Sequence, residues 1–176
     1  MNTSLPTTTS VGNPANRAPI PFRDDLRLRV GECALIKLAL EAVAALAPEL
    51  PAWRSPADGS YNPRMLLTLL TYSYAAGSYA SEDIELDCQQ DTATRYIAAN
   101  VHVHRDTLRA FRRANRPWIE VCLAWVLEHA GDTSAAPVLG EQQASPRLGT
   151  QPDSTFLIQA RRRVELAILL DMALAD

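Results

Sequence analysis

The chain has 176 residues and a formal net charge of -3, with 47% hydrophobic and 21% charged residues. That length fits one domain with extensions and carries enough apolar material for a true core. The charge balance excludes a surface coated evenly with positive charge, but it leaves a local basic patch open, because electrostatic fields depend on where charges sit. Alanine and leucine dominate the apolar set, which favours helices over strands.

In chain order, residues 1–23 are rich in Thr, Ser, Pro and Asn and read as a disordered or extended arm that carries Arg17 and Arg23. The spacing of apolar residues predicts a long helix over 26–46, weakened near Gly31 and ended by Pro48 and Pro51. Residues 48–62 read as a loop. Asn62 followed by Pro63 is a cap and a first-turn proline. They open a second helix that runs to Gly77 and is apolar on most sides, as a central buried helix is. Ser81 is the expected cap of a third helix carrying Ile84, Leu86 and Cys88. Asp91 is the expected cap of a short fourth helix over 92–99, with Asn100 ending it in the left-handed conformation. After a connection over 101–104, Asp106 is the expected cap of a fifth helix over 107–116. Pro117 then starts a sixth over 118–130, stopped by Gly131. Residues 132–153 read as a flexible linker, and a last helix covers 154–176. No segment has a strand pattern. The expected fold is all-α. It is a compact multi-helix bundle over 24–131 that contains a helix-turn-helix-like unit, with a separate C-terminal helix.

Chemistry concentrates in the fifth helix. At about 100° per residue, Arg105, Arg109, Arg112, Arg113 and Arg116 share an arc of about 100°. Leu108 and Phe111 lie on the far side as anchors. Guanidinium groups in a row match phosphate oxygens along a nucleic-acid backbone. Like charges at four-residue spacing repel, and Asp106 is the only acid in the helix. A row of this kind points to nucleic acid; an acidic protein surface or an ordinary solvated face are the alternatives. The order of a short helix, a turn and the arginine helix is that of a helix-turn-helix. Thr107, Arg109 and Arg113 are then candidates for base edges or nearby phosphates. Arg105, Arg112 and Arg116 set register, and Arg64 and Arg95 supply flanking phosphate contacts.

The stretch 61–99 and the segment 106–113 together resemble the N-terminal helical domain of bacterial insertion-sequence DDE transposases, of the InsH type. The resemblance rests on an ordered series: Tyr61, Pro63 and Arg64; Tyr74 and Gly77; Ser81, Ile84 and Glu85; Arg95 and Tyr96; Thr107, Leu108, Phe111, Arg112 and Arg113. It implies binding of duplex DNA at transposon ends by the helical domain, ahead of a separate ribonuclease-H-like catalytic domain with an acidic metal-binding triad. The chain departs from that pattern after the arginine helix. Asp132 and Thr133 lack the glycine and the preceding strand of the family's first catalytic aspartate. Only 44 residues follow Asp132.

The remaining groups point to no other chemistry. His102 and His104 lie two apart on a connection, and Cys33, Cys88 and Cys122 are scattered without a CxxC pair. No metal, cofactor or catalytic residue is expected. Tyr72, Tyr74, Tyr79, Trp118 and Trp125 are read as core or interface. The last helix carries Arg161, Arg162 and Arg163 in an apolar sequence, and Leu157, Val164, Ile168 and Leu169 are candidate oligomerisation residues. The expected molecule is a non-enzymatic, transposase-derived DNA-binding protein of the bacterial cytoplasm, associated with the nucleoid and without a membrane span. Its expected partners are double-stranded DNA, a second copy of itself and a separate catalytic transposase chain. The alternatives are a helical protein-interaction module and the inactive fragment of a decayed transposase.

Overall fold

The computed structural model describes residues 25–47, 61–132 and 154–174. The arm expected over 1–23, most of the 48–62 loop and all but the start of the linker expected over 132–153 lie outside these residues. Seven helices and no strand make up the described chain: α1 (Leu26–Val30), α2 (Glu32–Leu46), α3 (Pro63–Ala75), α4 (Ser81–Gln90), α5 (Thr92–Ile97), α6 (Arg105–Asp132) and α7 (Ser154–Ala173). They pack around one hydrophobic core to which all seven contribute, an all-α bundle.

The long first helix is in fact two. Gly31 sits at φ 85° and ψ 150°, a conformation essentially reserved for glycine, and breaks the run into α1 and α2. Asp25 caps α1, its Oδ1 accepting the Arg27 amide at 2.9 Å. α2 then buries Leu35, Ala39, Ala42 and Val43, the spacing of one helical face.

α3 is the central helix, with every residue from Leu66 to Ala75 buried. Its start follows the local signal: the Asn62 side chain accepts the Arg64 amide at 2.9 Å and Pro63 occupies the first turn. At its end the Ser78 amide donates to the Ser73 carbonyl at 2.8 Å and Gly77 takes φ 84°, a Schellman stop. α5 starts on Asp91, which accepts both the amide and the hydroxyl of Thr94. It closes with the same kind of turn, with Ala99 (φ 52°) and Asn100 (φ 58°) both left-handed.

The expected fifth and sixth helices meet end to end in α6, two helical segments joined across a kink. The kink falls at Asn115 (φ −124°, ψ 21°), two residues before Pro117. A proline inside a helix removes one amide donor and crowds the preceding turn. Beside the kink, the Asn115 side chain donates to the Phe111 carbonyl at 3.1 Å. α6 also runs through Gly131 to Asp132.

The C-terminal helix is not separate. α7 lies against α6 and α4 and places Ala160, Val164 and Ala167 in the common core. The two alanines allow close approach, and two buried charges do the rest. Arg163 Nη1 donates to the Tyr74 and Ala75 carbonyls at 2.8 and 3.4 Å, at the carbonyl end of α3. Asp171 accepts the Ser81 amide at 2.8 Å, at the amide end of α4. A cation at a helix C-terminus and an anion at a helix N-terminus each complement unsatisfied backbone groups. α7 therefore clamps the α3–α4 corner from both sides.

Candidate nucleic-acid interface

Arg105, Arg109, Arg112 and Arg113 lie before the kink of α6 and Arg116 just after it, and most of the arginine side is not a solvent face. Leu108, Phe111 and Ile119 bury one side of the helix in the core. α7 covers part of the arginine side, and carboxylates meet the guanidinium groups. Arg105 pairs with Glu82 of α4. Arg109 places Nη1 3.4 Å from Asp106 Oδ1 and Nε 3.4 Å from Asp171 Oδ2. Arg116 donates to Glu120 at 2.6 Å and to Glu165 of α7 at 3.1 Å. Glu120 also receives Arg161 of α7 at 3.3 Å. Arg113 alone of the five is exposed without an acidic partner among the described residues.

Arg112 departs furthest from the sequence reading. It is 3% exposed and cannot reach a DNA phosphate in this arrangement. Its Nη1 donates to Tyr74 Oη at 3.0 Å, and its Nη2 pairs with Asp171 Oδ2. The reason is geometric. At about 100° per residue, Arg112 lies about 100° from Arg113, at the edge of the arc nearest the core. Thr107, expected near base edges, is also corrected: at 1% exposure it is a core residue. Arg95 and Arg64 are exposed, and Arg95 Nη2 donates to Asn100 Oδ1 at 3.3 Å.

Two expected caps change hands as well. Ser81 does not cap α4; its hydroxyl donates to Asp171 Oδ2 at 2.7 Å. The Asp106 amide donates to His104 Nδ1 at 3.3 Å, so His104 takes the place expected for Asp106 at the start of α6. His102 Nε2 and His104 Nε2 lie 3.2 and 3.9 Å from the same oxygen of Glu85. They brace the turn over 98–104 against α4. That turn, between α5 and α6, is longer than the roughly three to four residues usual in a helix-turn-helix. Among the described residues, no group of three or more His, Cys, Asp or Glu side chains is placed to hold a metal ion. No helix there is long and apolar enough to cross a membrane.

The oligomerisation set also resolves differently. Val164 is fully buried in the protein's own core, and Leu157 and Ile168 pack against it; Leu169 alone, 62% exposed, faces outward.

The centre of the arrangement is Asp171, the shared partner of Arg112 and Ser81. Burial alone would push its carboxyl up, but the hydrogen bonds from Arg112 and Ser81 outweigh that and hold it below the usual carboxylate range. Tyr74 is pushed up by burial. The available signal for Asp171 and Arg163 was charge inside an apolar helical stretch, which demands a buried partner. No protein-family model matches the chain, and no curated protein or solved structure matches it either.

Proposed function

We propose that this chain is a non-catalytic, transposase-derived DNA-binding protein of the bacterial cytoplasm that holds duplex DNA through the arginine side of α6. The observation that carries the reading is the arginine arc itself. Five guanidinium groups fall on one side of a helix that follows a short helix and a turn, and the partners of four of them are carboxylates. A carboxylate and a phosphate present the same kind of oxygen to an arginine. Arg105, Arg109, Arg113 and Arg116 keep exposed surface, while Arg112 stays inside and fixes the helix. Arg64 and Arg95 would add flanking phosphate contacts, and strand chemistry would belong to a separate catalytic chain.

Fluorescence anisotropy with a short duplex over a salt series tests this. The expected result is an affinity that falls steeply with salt. Neutralising Arg113 and Arg116 together should lower the logarithmic salt slope by about 0.9 for each phosphate that no longer meets an arginine. A chain with no salt-sensitive affinity at low ionic strength sinks the reading.

A second reading rests on α7. Ile158, Leu169 and Met172 are 49%, 62% and 63% exposed and lie within about 60° of one another around the helix. That stripe suits self-association of two copies. Light scattering on the full chain and on Leu169→Glu tests it, and an identical monomer mass for both rejects it.

A further inference from the structure

We propose that the corner where α7 meets α4 and α6 is a binding site for a phosphate group, and that the Asp171 side chain is its built-in occupant. The donors converge from two elements, α4 and α6. Ser81 supplies its amide and hydroxyl from the N-terminus of α4, at 2.8 and 2.7 Å from the two Asp171 oxygens. Arg112 of α6 pairs with Oδ2, and Arg109 Nε lies 3.4 Å from the same oxygen. From α3, Tyr74 Oη accepts from Arg112 and fixes the guanidinium.

One carboxylate leaves part of this donor set without an acceptor. Two guanidinium groups and a helix N-terminus face a single buried negative charge; among the described residues the only other acid on the pair is the exposed Asp106 at Arg109. Arg112 Nε and Arg109 Nε are both buried and have no hydrogen-bond acceptor. A buried N–H without an acceptor carries the full cost of its lost hydration. A phosphate brings up to two negative charges and more acceptor oxygens, and helix N-termini flanked by arginine suit it. Asp171 is thus a smaller stand-in for the ligand. It comes from the element that also neutralises Arg116 through Glu165, so α7 competes with anions for two neighbouring arginines.

With Asp171 seated, Arg112 is closed to any strand; only with that side chain withdrawn does the DNA-binding reading, on which this source rests, make the phosphate that of a DNA strand, and free phosphate has the same chemistry. The test uses the full chain and Asp171→Ala, with inorganic phosphate as probe against chloride at equal ionic strength, followed by thermal unfolding. In the variant, phosphate should raise the midpoint and bind at least about tenfold tighter than to the unaltered chain. Adding Ser81→Ala should weaken that binding. Duplex affinity is measured in parallel. Gains in both place a DNA phosphate in the site. A gain for inorganic phosphate without a gain for duplex keeps the site and rejects the DNA reading. A duplex gain with no phosphate response, an equal response to chloride, or no response at all overturns the proposal. Should Asp171→Ala lose its helical signal, phosphate must restore it. Asp171→Asn, which keeps the shape and removes the charge, is then the second variant. Failure of phosphate to protect either one also overturns the site.

Discussion

The two sides of α6 are held by different physics. On one side Leu108, Phe111, Ile119 and Cys122 sit at zero exposure against α2 and α3. That seam is stabilised by removal of apolar area from water, about 25 cal/mol per Å², and depends little on salt or pH. On the other side, α7 is joined by Ala160, Val164 and Ala167 but also by Arg112–Asp171 and Arg116–Glu165. Buried ion pairs contribute little net stability because desolvation offsets their attraction, yet breaking one leaves a lone buried charge. The first seam is unconditional; the second depends on pH and on competing anions.

The largest expected effects come from cutting each side once. Phe111→Ala should cost about 3–5 kcal/mol through reduced burial and a cavity. Arg112→Ala should cost a similar amount, about 3–5 kcal/mol, by stranding Asp171. The double change Arg112→Met with Asp171→Leu separates the mechanisms. Chemical denaturation should show it losing less than either single substitution at that pair, and a loss equal to the sum of two singles would erase the distinction.

Acid is the next test. Asp171 has a depressed value in the folded state, so its contribution is fully present above the unfolded carboxylate value of about 3.9. It is lost as pH falls through the folded value. A tryptophan-fluorescence unfolding series should therefore show the unaltered chain losing more stability below about pH 4 than the Arg112→Met, Asp171→Leu variant. Parallel curves would mean that the pair is not linked to folding.

The smallest effect belongs to the rim. Glu165 is 57% exposed on its side chain and Arg116 39%. Glu165→Gln should cost at most about 1 kcal/mol, less at high salt. A larger loss in equilibrium unfolding would move the rim into the buried seam.

How much of this was legible depended on range. Asn62 with Pro63, Asp91 and Gly77 act within one turn of themselves, and the structure places each as its local signal predicts. Ser81 and Asp106 carry the same kind of capping signal. Each loses the role to a residue better placed in space, Asp171 drawing the Ser81 hydroxyl and His104 receiving the Asp106 amide. Gly31 and Pro117 are visible as breakers. The two breaks differ in backbone conformation: Gly31 takes φ 85° and ψ 150°, which ends α1, whereas the break near Pro117 falls on Asn115 at φ −124° and ψ 21°.

The amino-acid sequence by itself determined an all-helical chain, a central apolar α3 and five arginines on one side of α6. Helical period, capping chemistry and apolar spacing are local properties. The tertiary structure alone decided which of those arginines meet solvent. That depends on α7, whose Asp171 lies 59 residues from Arg112 along the chain. A helical wheel gives the direction of a side chain, but the dielectric and the partner it meets are set by whatever packs over it.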